Sequence, residues 1–232
     1  MTPSRIGAAA LAAASLWAGN VQANRPLVTD TADTIPDGRC QFEPFAGHTR
    51  SDGAPSERFW VLQVNCGVAT HTQLGASATR AWSDDDSEQG LAVAGKSALI
   101  ELKSGQTGVS VNYALSANKP RGGSWRGEGA GASLIASREL AEGWLVHANL
   151  GWAHSRSAHQ SSTTYAAATE YTVVPGIVLS AELYGDDRVS RPWLAAGVLW
   201  QIREGLTVNA SYAVQRSDPH IRQFTAGFLI EF

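Results

Sequence analysis

The run His154, Ser155, Arg156, Ser157, Ala158, His159 sets hydroxyl groups close to two imidazoles along the chain. That is the raw material of an acyl hydrolase, in which a histidine takes the proton of an attacking serine. Such a base needs a third group to orient it, and none stands at a usable spacing. The His-x-Ser-Asn arrangement of barrel phospholipases is also absent, so the run reads more simply as a polar loop. The acidic run Asp84, Asp85, Asp86 and Glu88 offers oxygens to a divalent cation, or to lipopolysaccharide through one. No calcium-loop spacing follows it, and a solvated loop tip accounts for it more simply. Cys40 and Cys66 are too few to hold zinc, and nothing in the chain calls for a cofactor.

A more regular signal comes from polar side chains at alternate positions inside apolar runs. Trp144, Val146, Ala148, Leu150 and Trp152 alternate with His147, Asn149 and Gly151. The stretches Trp60 to Val68, Val109 to Ser116, Ile177 to Leu183 and Leu206 to Gln215 follow the same rule. A period of two marks a strand whose faces meet different media. By this parity Lys96, Asn112, His147, Asn149, Glu170, Glu182, Asn209, Gln215, Gln223 and Glu231 share the face opposite the apolar one. If the apolar face meets lipid, these residues must line a lumen, because a charge on the lipid side near the midplane costs ~2–4 kcal/mol. Two roles are open to them. They could set the selectivity of a polar pore, with Lys96, Glu170, Glu182 and His147 as its ionisable members, or form a salt-bridge and hydrogen-bond network that plugs the barrel.

The elements that would position these residues number about twelve, at roughly 38–46, 57–66, 71–82, 89–100, 106–117, 128–140, 143–154, 164–174, 176–185, 191–202, 205–216 and 221–232, with ends good to ~2–4 residues. The strands at 71–82 and 128–140 are ambiguous in phase. Connectors at 67–70, 141–142, 175 and 203–204 are tight, whereas GHTRSDGAPS, SDDDSE, SANKPRGGSWRGEG and HSRSAHQSST are longer and polar. Tight turns on one rim and longer loops on the other is the layout of outer-membrane barrels. Aromatic residues gather near strand ends, with Trp144 and Trp152 bracketing one strand, Trp60 and Trp82 lying toward the longer loops, and Phe232 ending the chain. A soluble sandwich has no reason to place them so. Phe224, Ala226, Phe228, Ile230 and Phe232 keep the alternation to the last residue, which is explained if the final strand pairs with the first and closes the sheet. Arg80 shares the apolar parity and lies beside Trp82, which places its guanidinium at headgroup level, where lipid phosphates accept it.

The formal charge of -3 and the scattered basic residues leave no nucleic-acid footprint. The segment MTPSRIGAAALAAASLWAGNVQA, with Arg5 early and Val21 and Ala23 before the cut, has the form of a secretory signal peptide. Its uncharged run, Ile6 to Asn20, is shorter than the ~20 residues of a spanning helix. Export makes a disulfide permissible. A first hairpin centred near Gly53 would set Cys40 opposite Cys66, Phe42 opposite Val64 and Pro44 opposite Leu62, so a bond between the cysteines is geometrically allowed.

The stretch RPLVTDTADTIPDGRCQFE, Arg25 to Glu43, resembles the opening of the outer-membrane transporter family of the meta-pathway of phenol degradation. Arg25 to Asp30 and Gly38 match that family's pattern, while its usual Asp-Thr-Gly is altered to Thr31, Ala32, Asp33 and Thr34. Lys96, the stretch from His147 to Trp152, and Glu182 are later echoes, so short motifs span nearly the whole mature chain. The resemblance implies a transport role for small aromatic compounds and carries no catalytic or binding residues across.

The expectation is therefore an all-β protein: a transmembrane antiparallel up-and-down β-barrel of about twelve strands, preceded by a cleaved signal peptide. Residues 1–23 form the signal peptide, 24–37 an N-terminal periplasmic segment and 38–232 the barrel. The expected function is passive uptake of small, aromatic or apolar molecules across the outer membrane of a Gram-negative bacterium. The alternatives are a structural or adhesion barrel and a surface lipolytic enzyme. The expected partners are outer-membrane lipids and, through the C-terminal strand, the barrel-assembly machinery.

Overall fold

The computed structural model describes residues 27–84, 86–188, 191–217 and 219–232; the proposed signal peptide, Arg25 and Pro26 of the N-terminal motif, and Asp85 of the acidic run lie outside these. Twelve strands form: β1 (Cys40–Ser51), β2 (Glu57–Ala69), β3 (Thr72–Trp82), β4 (Ser87–Ile100), β5 (Thr107–Pro120), β6 (Arg126–Ala141), β7 (Trp144–Ser155), β8 (Gln160–Val174), β9 (Ile177–Asp186), β10 (Trp193–Arg203), β11 (Leu206–Gln215) and β12 (Ile221–Glu231). Each pairs antiparallel with its sequence neighbours, and β1 pairs with β12 to close the barrel. Closure satisfies the backbone to its end: Cys40 N donates to Phe232 O at 2.7 Å and Phe232 N to Cys40 O at 2.9 Å.

The alternation sorts the side chains as a bilayer requires. Leu62, Val64, Leu91, Val93, Leu115, Leu134, Leu150, Leu179, Phe224 and Phe228 stand exposed on the outer wall. Glu43, Gln63, Asn65, Gln73, Lys96, Ser110, Ser137, His147, Ser180 and Glu182 are buried on the inner one. A soluble protein would invert this arrangement, so the apolar belt places the barrel in a membrane. In β3 and β6, the strands of ambiguous phase, Gln73, Ser137 and Ile135 are buried while Leu74 and Leu134 are exposed.

On the rim holding both Cys40 and Phe232, four connectors (70–71, 142–143, 175–176 and 204–205) are two residues each. Gly143, Gly176 and Gly205 take φ of 71°, 85° and 72°, which glycine adopts without strain, and His71 takes 65°. These tight turns mark the periplasmic rim. Three of the loops expected to be long are shorter than the sequence suggested. Of these, 47–51, 116–120, 126–129, 154–155 and 160–163 belong to strands, leaving 52–56, 121–125 and 156–159 as the connectors. Polar, Gly-rich composition measured where the wall leaves the lipid, and the hydrogen-bond ladder continues past that point.

Cys40 and Cys66 face each other in the β1–β2 register and are joined by a disulfide, with Phe42 opposite Val64 and Pro44 opposite Leu62. Residues 24–37 were expected on the periplasmic side; residues 27–37 instead fold back into the barrel as a strap. Leu27, Thr29, Asp30, Ala32 and Ile35 of this strap are buried. The physical reason is the inner wall: its polar side chains need partners, and a strap with free N–H and C=O groups supplies them.

Candidate functional site

The strap enters beside β2. Asp37 forms a parallel bridge with Gly67, Gly38 N donates to Gly67 O at 3.1 Å, and Gly67 N donates to Arg39 O at 3.0 Å. A Cβ on Gly67 would collide with the Pro36 and Ile35 carbonyl oxygens, so only glycine lets the strap lie this close. From there the strap crosses the lumen and meets a different strand at nearly every residue.

Ile35 N donates to Gln73 Oε1 of β3 at 2.8 Å, and Ala32 N to Ser137 Oγ of β6 at 2.8 Å. Asp30 lies at the centre. Lys96 Nζ of β4 reaches Asp30 Oδ1 at 2.8 Å and Thr31 O at 2.9 Å, while Asn112 Nδ2 of β5 donates to Asp30 Oδ2 at 3.2 Å. With its amide oriented to satisfy both partners, Asn149 of β7 donates to Asp30 O at 3.0 Å and accepts from Asp30 N at 2.7 Å. Glu182 of β9 accepts from Val28 N, Thr29 N and Thr29 Oγ1, each at 2.9 Å. Asp30 and Lys96 are 2% and 1% exposed, so their ion pair is removed from water and depends on these further bonds to offset desolvation.

His147 joins the same network. Ser137 Oγ accepts from Ala32 N and lies 2.7 Å from His147 Nδ1. The other ring nitrogen, Nε2, lies 3.3 Å from Glu170 Oε2, so the imidazole bridges Ser137 and Glu170. Six of the sequence candidates therefore converge: Lys96, Asn112, Asn149 and Glu182 on the strap itself, and His147 and Glu170 behind Ser137. Two stand apart. Gln223 Nε2 donates to Thr49 Oγ1 at 3.1 Å, tying β12 to β1, and neither amide atom of the buried Asn209 has a partner among the described residues.

Sequence reasoning did not find the strap as the partner of these residues. The signal was present, since Asp30, Asp33 and Asp37 make the segment between Arg25 and Arg39 acidic and Lys96 is one of three lysines in the chain. It also passed over the inward aromatics of the extracellular half. Phe45 and Phe59 meet edge to face at 6.4 Å beside Ala81, and Tyr184 and Trp193 stack at 6.0 Å with Val28 of the strap packed on that cluster. By strand parity all four were assignable to the interior.

The enzyme candidates do not form a constellation. His154 Nδ1 lies 3.0 Å from Ser161 Oγ, whereas the Ser155 and Ser157 hydroxyls donate to Glu128 Oε1 at 2.7 and 2.6 Å. Adjacent residues of β7 point to opposite faces, so His154 and Ser155 are turned away from each other. In the acidic run, Asp86 Oδ1 accepts from Ser87 N at 2.7 Å and Glu88 Oε1 accepts from Asn118 Nδ2 at 2.6 Å. Among the described residues no group of three such side chains is placed to hold a metal ion.

Closed, apolar outside, polar inside and strapped through its lumen, the molecule is an outer-membrane β-barrel of porin-like architecture. It belongs to the family described as "Uncharacterised conserved protein UCP029691", whose model matches residues 11–232. The resemblance to the phenol-degradation transporters thus extends to the barrel; the family that matches is this other one. The fold is similar to that of the KdgM porin in complex with disordered oligogalacturonate, at a TM-score of 0.64 and 11% identity over 82% of this chain and 99% of that one. It is similar also to the NanC porin, at 0.60 and 10% over 82% and 98%. Outer membrane phospholipase A from Escherichia coli matches at 0.51 and 11% over 82% and 92%. No curated relative matches the chain by sequence.

Proposed function

We propose that the protein is an outer-membrane channel for the passive uptake of small molecules, that aromatic and apolar solutes are its class, and that the strap at 27–37 closes its periplasmic half. One observation carries this reading: the side chains that line the inner wall hold a length of backbone that crosses the lumen. Each of those bonds can be exchanged for one to water when the strap leaves, at a net ~0.5–1.5 kcal/mol for a neutral pair. The inward Phe45–Phe59 and Tyr184–Trp193 pairs support the solute class, since they give the inner wall on the extracellular side of the strap an aromatic, apolar composition, with each ring largely covered by its neighbours. The inner carboxylates Glu88 and Glu128 at that end, held by Asn118 and Ser155, disfavour a polyanion. The C-terminal strand, ending in Phe232, is the segment assigned to the barrel-assembly machinery.

The structural-barrel alternative is favoured by the same strap if it never leaves. Proteoliposome swelling separates the two. Entry of small uncharged solutes that increases when residues 27–36 are deleted supports a channel. No entry from either protein, both folded by heat-modifiable migration, supports the structural barrel. Competition of that entry by hydroxylated aromatic solutes tests the class.

A further inference from the structure

The carboxylate of Asp30 occupies a place that the wall shapes without help from the strap. Gln73, Lys96, Asn112 and Ser133 form one row across four strands, each directly opposite the next in the β3–β4, β4–β5 and β5–β6 registers. Lys96 and Asn112 are thus side by side on the inner face. Their Nζ and Nδ2 reach the two oxygens of a single carboxylate, Oδ1 at 2.8 Å and Oδ2 at 3.2 Å. The Asn112 amide is aimed by the wall itself: its Oδ1 accepts from Ser133 N at 3.1 Å and lies 2.7 Å from Ser133 Oγ, which turns Nδ2 toward the lumen with or without the strap.

The strap is an imperfect occupant of this corner. Thr31 Oγ1 and the hydroxyl of Ser110, at the inward position of β5 next to Asn112, are both buried with no hydrogen-bond partner among the described residues. A permanent plug would pair such groups. Departure of the strap also sets a demand on what replaces it. Lys96 is buried, and Asp33, whose charge acts on it as well as that of Asp30, lies on the strap too. With both carboxylates gone, a solute carboxylate restores the pairing of the ammonium and a neutral solute does not.

We infer that Lys96 and Asn112 form a carboxylate subsite, that Asp30 occupies it as an internal mimic of the solute, and that the solutes admitted carry one carboxylate on an aromatic ring. As a substrate class this rests on the channel reading, whereas the binding does not. One carboxylate matches a subsite with one ammonium, and the inner Glu88 and Glu128 of the extracellular end set the same limit on charge.

The test uses the full folded chain with benzoate, and with benzamide at matched ionic strength as the uncharged counterpart, reading amide exchange at Val28, Thr29, Ala32 and Ile35. A ligand that binds only the strap-released state raises its population in proportion to ligand concentration. Exchange should therefore climb with benzoate, reaching at least about tenfold, and stay within about twofold with benzamide. Asp30→Asn removes the mimic and leaves the wall intact, so the calorimetric affinity for benzoate should rise at least about tenfold over the parent. Adding Lys96→Gln to it should abolish benzoate binding. Heat-modifiable migration checks each variant, and the exchange experiment on the parent decides the matter if either fails to fold. Equal effects of benzoate and benzamide, no effect of benzoate, or benzoate binding that survives the double substitution would overturn the subsite. Benzoate binding by a barrel that passes no solute would support the subsite and refute the channel; passage of uncharged aromatics with no benzoate effect would do the reverse.

Discussion

In the periplasmic half of the interior, Lys96, Asn112, Asn149 and Glu182 hold a length of backbone, whereas in the extracellular half the Phe45–Phe59 and Tyr184–Trp193 pairs pack on fixed neighbours of the wall itself. The chemistry of each half suits what it holds. Each group on the wall can trade the strap for water, at a net ~0.5–1.5 kcal/mol for a bond between neutral groups and ~1.5–3 kcal/mol where a charge takes part. Ring contacts cannot make that exchange, because exposing their apolar area costs ~25 cal/mol per Å2. A movable part is therefore expected where contacts are polar, and a permanent one where they are apolar. Val28, packed on the Tyr184–Trp193 cluster, is the point at which the two halves touch.

Variants can break this division, and amide hydrogen exchange can follow it, since the N–H groups of Val28, Thr29, Ala32 and Ile35 each have a named acceptor on the wall. The largest effect belongs to Lys96→Met. It leaves Asp30 buried without its cation, a loss worth ~3–5 kcal/mol, and expulsion of the strap relieves it. All four amides should then exchange together, faster by two orders of magnitude or more, and channel openings should become frequent. Glu182→Gln removes charge-assisted bonds worth ~1.5–3 kcal/mol and should release Val28 and Thr29 first, while Ile35 stays protected by Gln73. Ser137→Ala removes the bond from Ala32 N, ~1 kcal/mol, together with the one to His147 Nδ1, and through loss of the first should raise exchange at Ala32 about fivefold. Phe59→Ala sharpens the contrast from the other side: it should leave all four amides within about twofold of the parent and change only which solutes enter.

Much of this was legible in the chain. Period two, turn glycines and a strand that stays amphipathic up to Phe232 define the closed barrel, because the bilayer demands one answer at each alternate position. The Cys40–Cys66 pairing followed from counting outward from Gly53. The site was half legible. Parity turns Lys96, His147 and Glu182 inward, yet parity is a property of one strand and cannot say what crosses the lumen to meet them. The strap at 27–37 has no period of its own, since its shape is set by six strands that contribute one or two side chains each.

The central claim is that the strap closes a channel through the barrel. Single-channel recording of the purified protein in planar bilayers, with and without residues 27–36, tests it most directly. The account predicts rare, brief openings for the parent and a sustained conductance of larger amplitude for the deletion, both proteins migrating as heat-modifiable barrels. Equal conductance from the two, or a silent bilayer with the strap removed from a folded barrel, would contradict it.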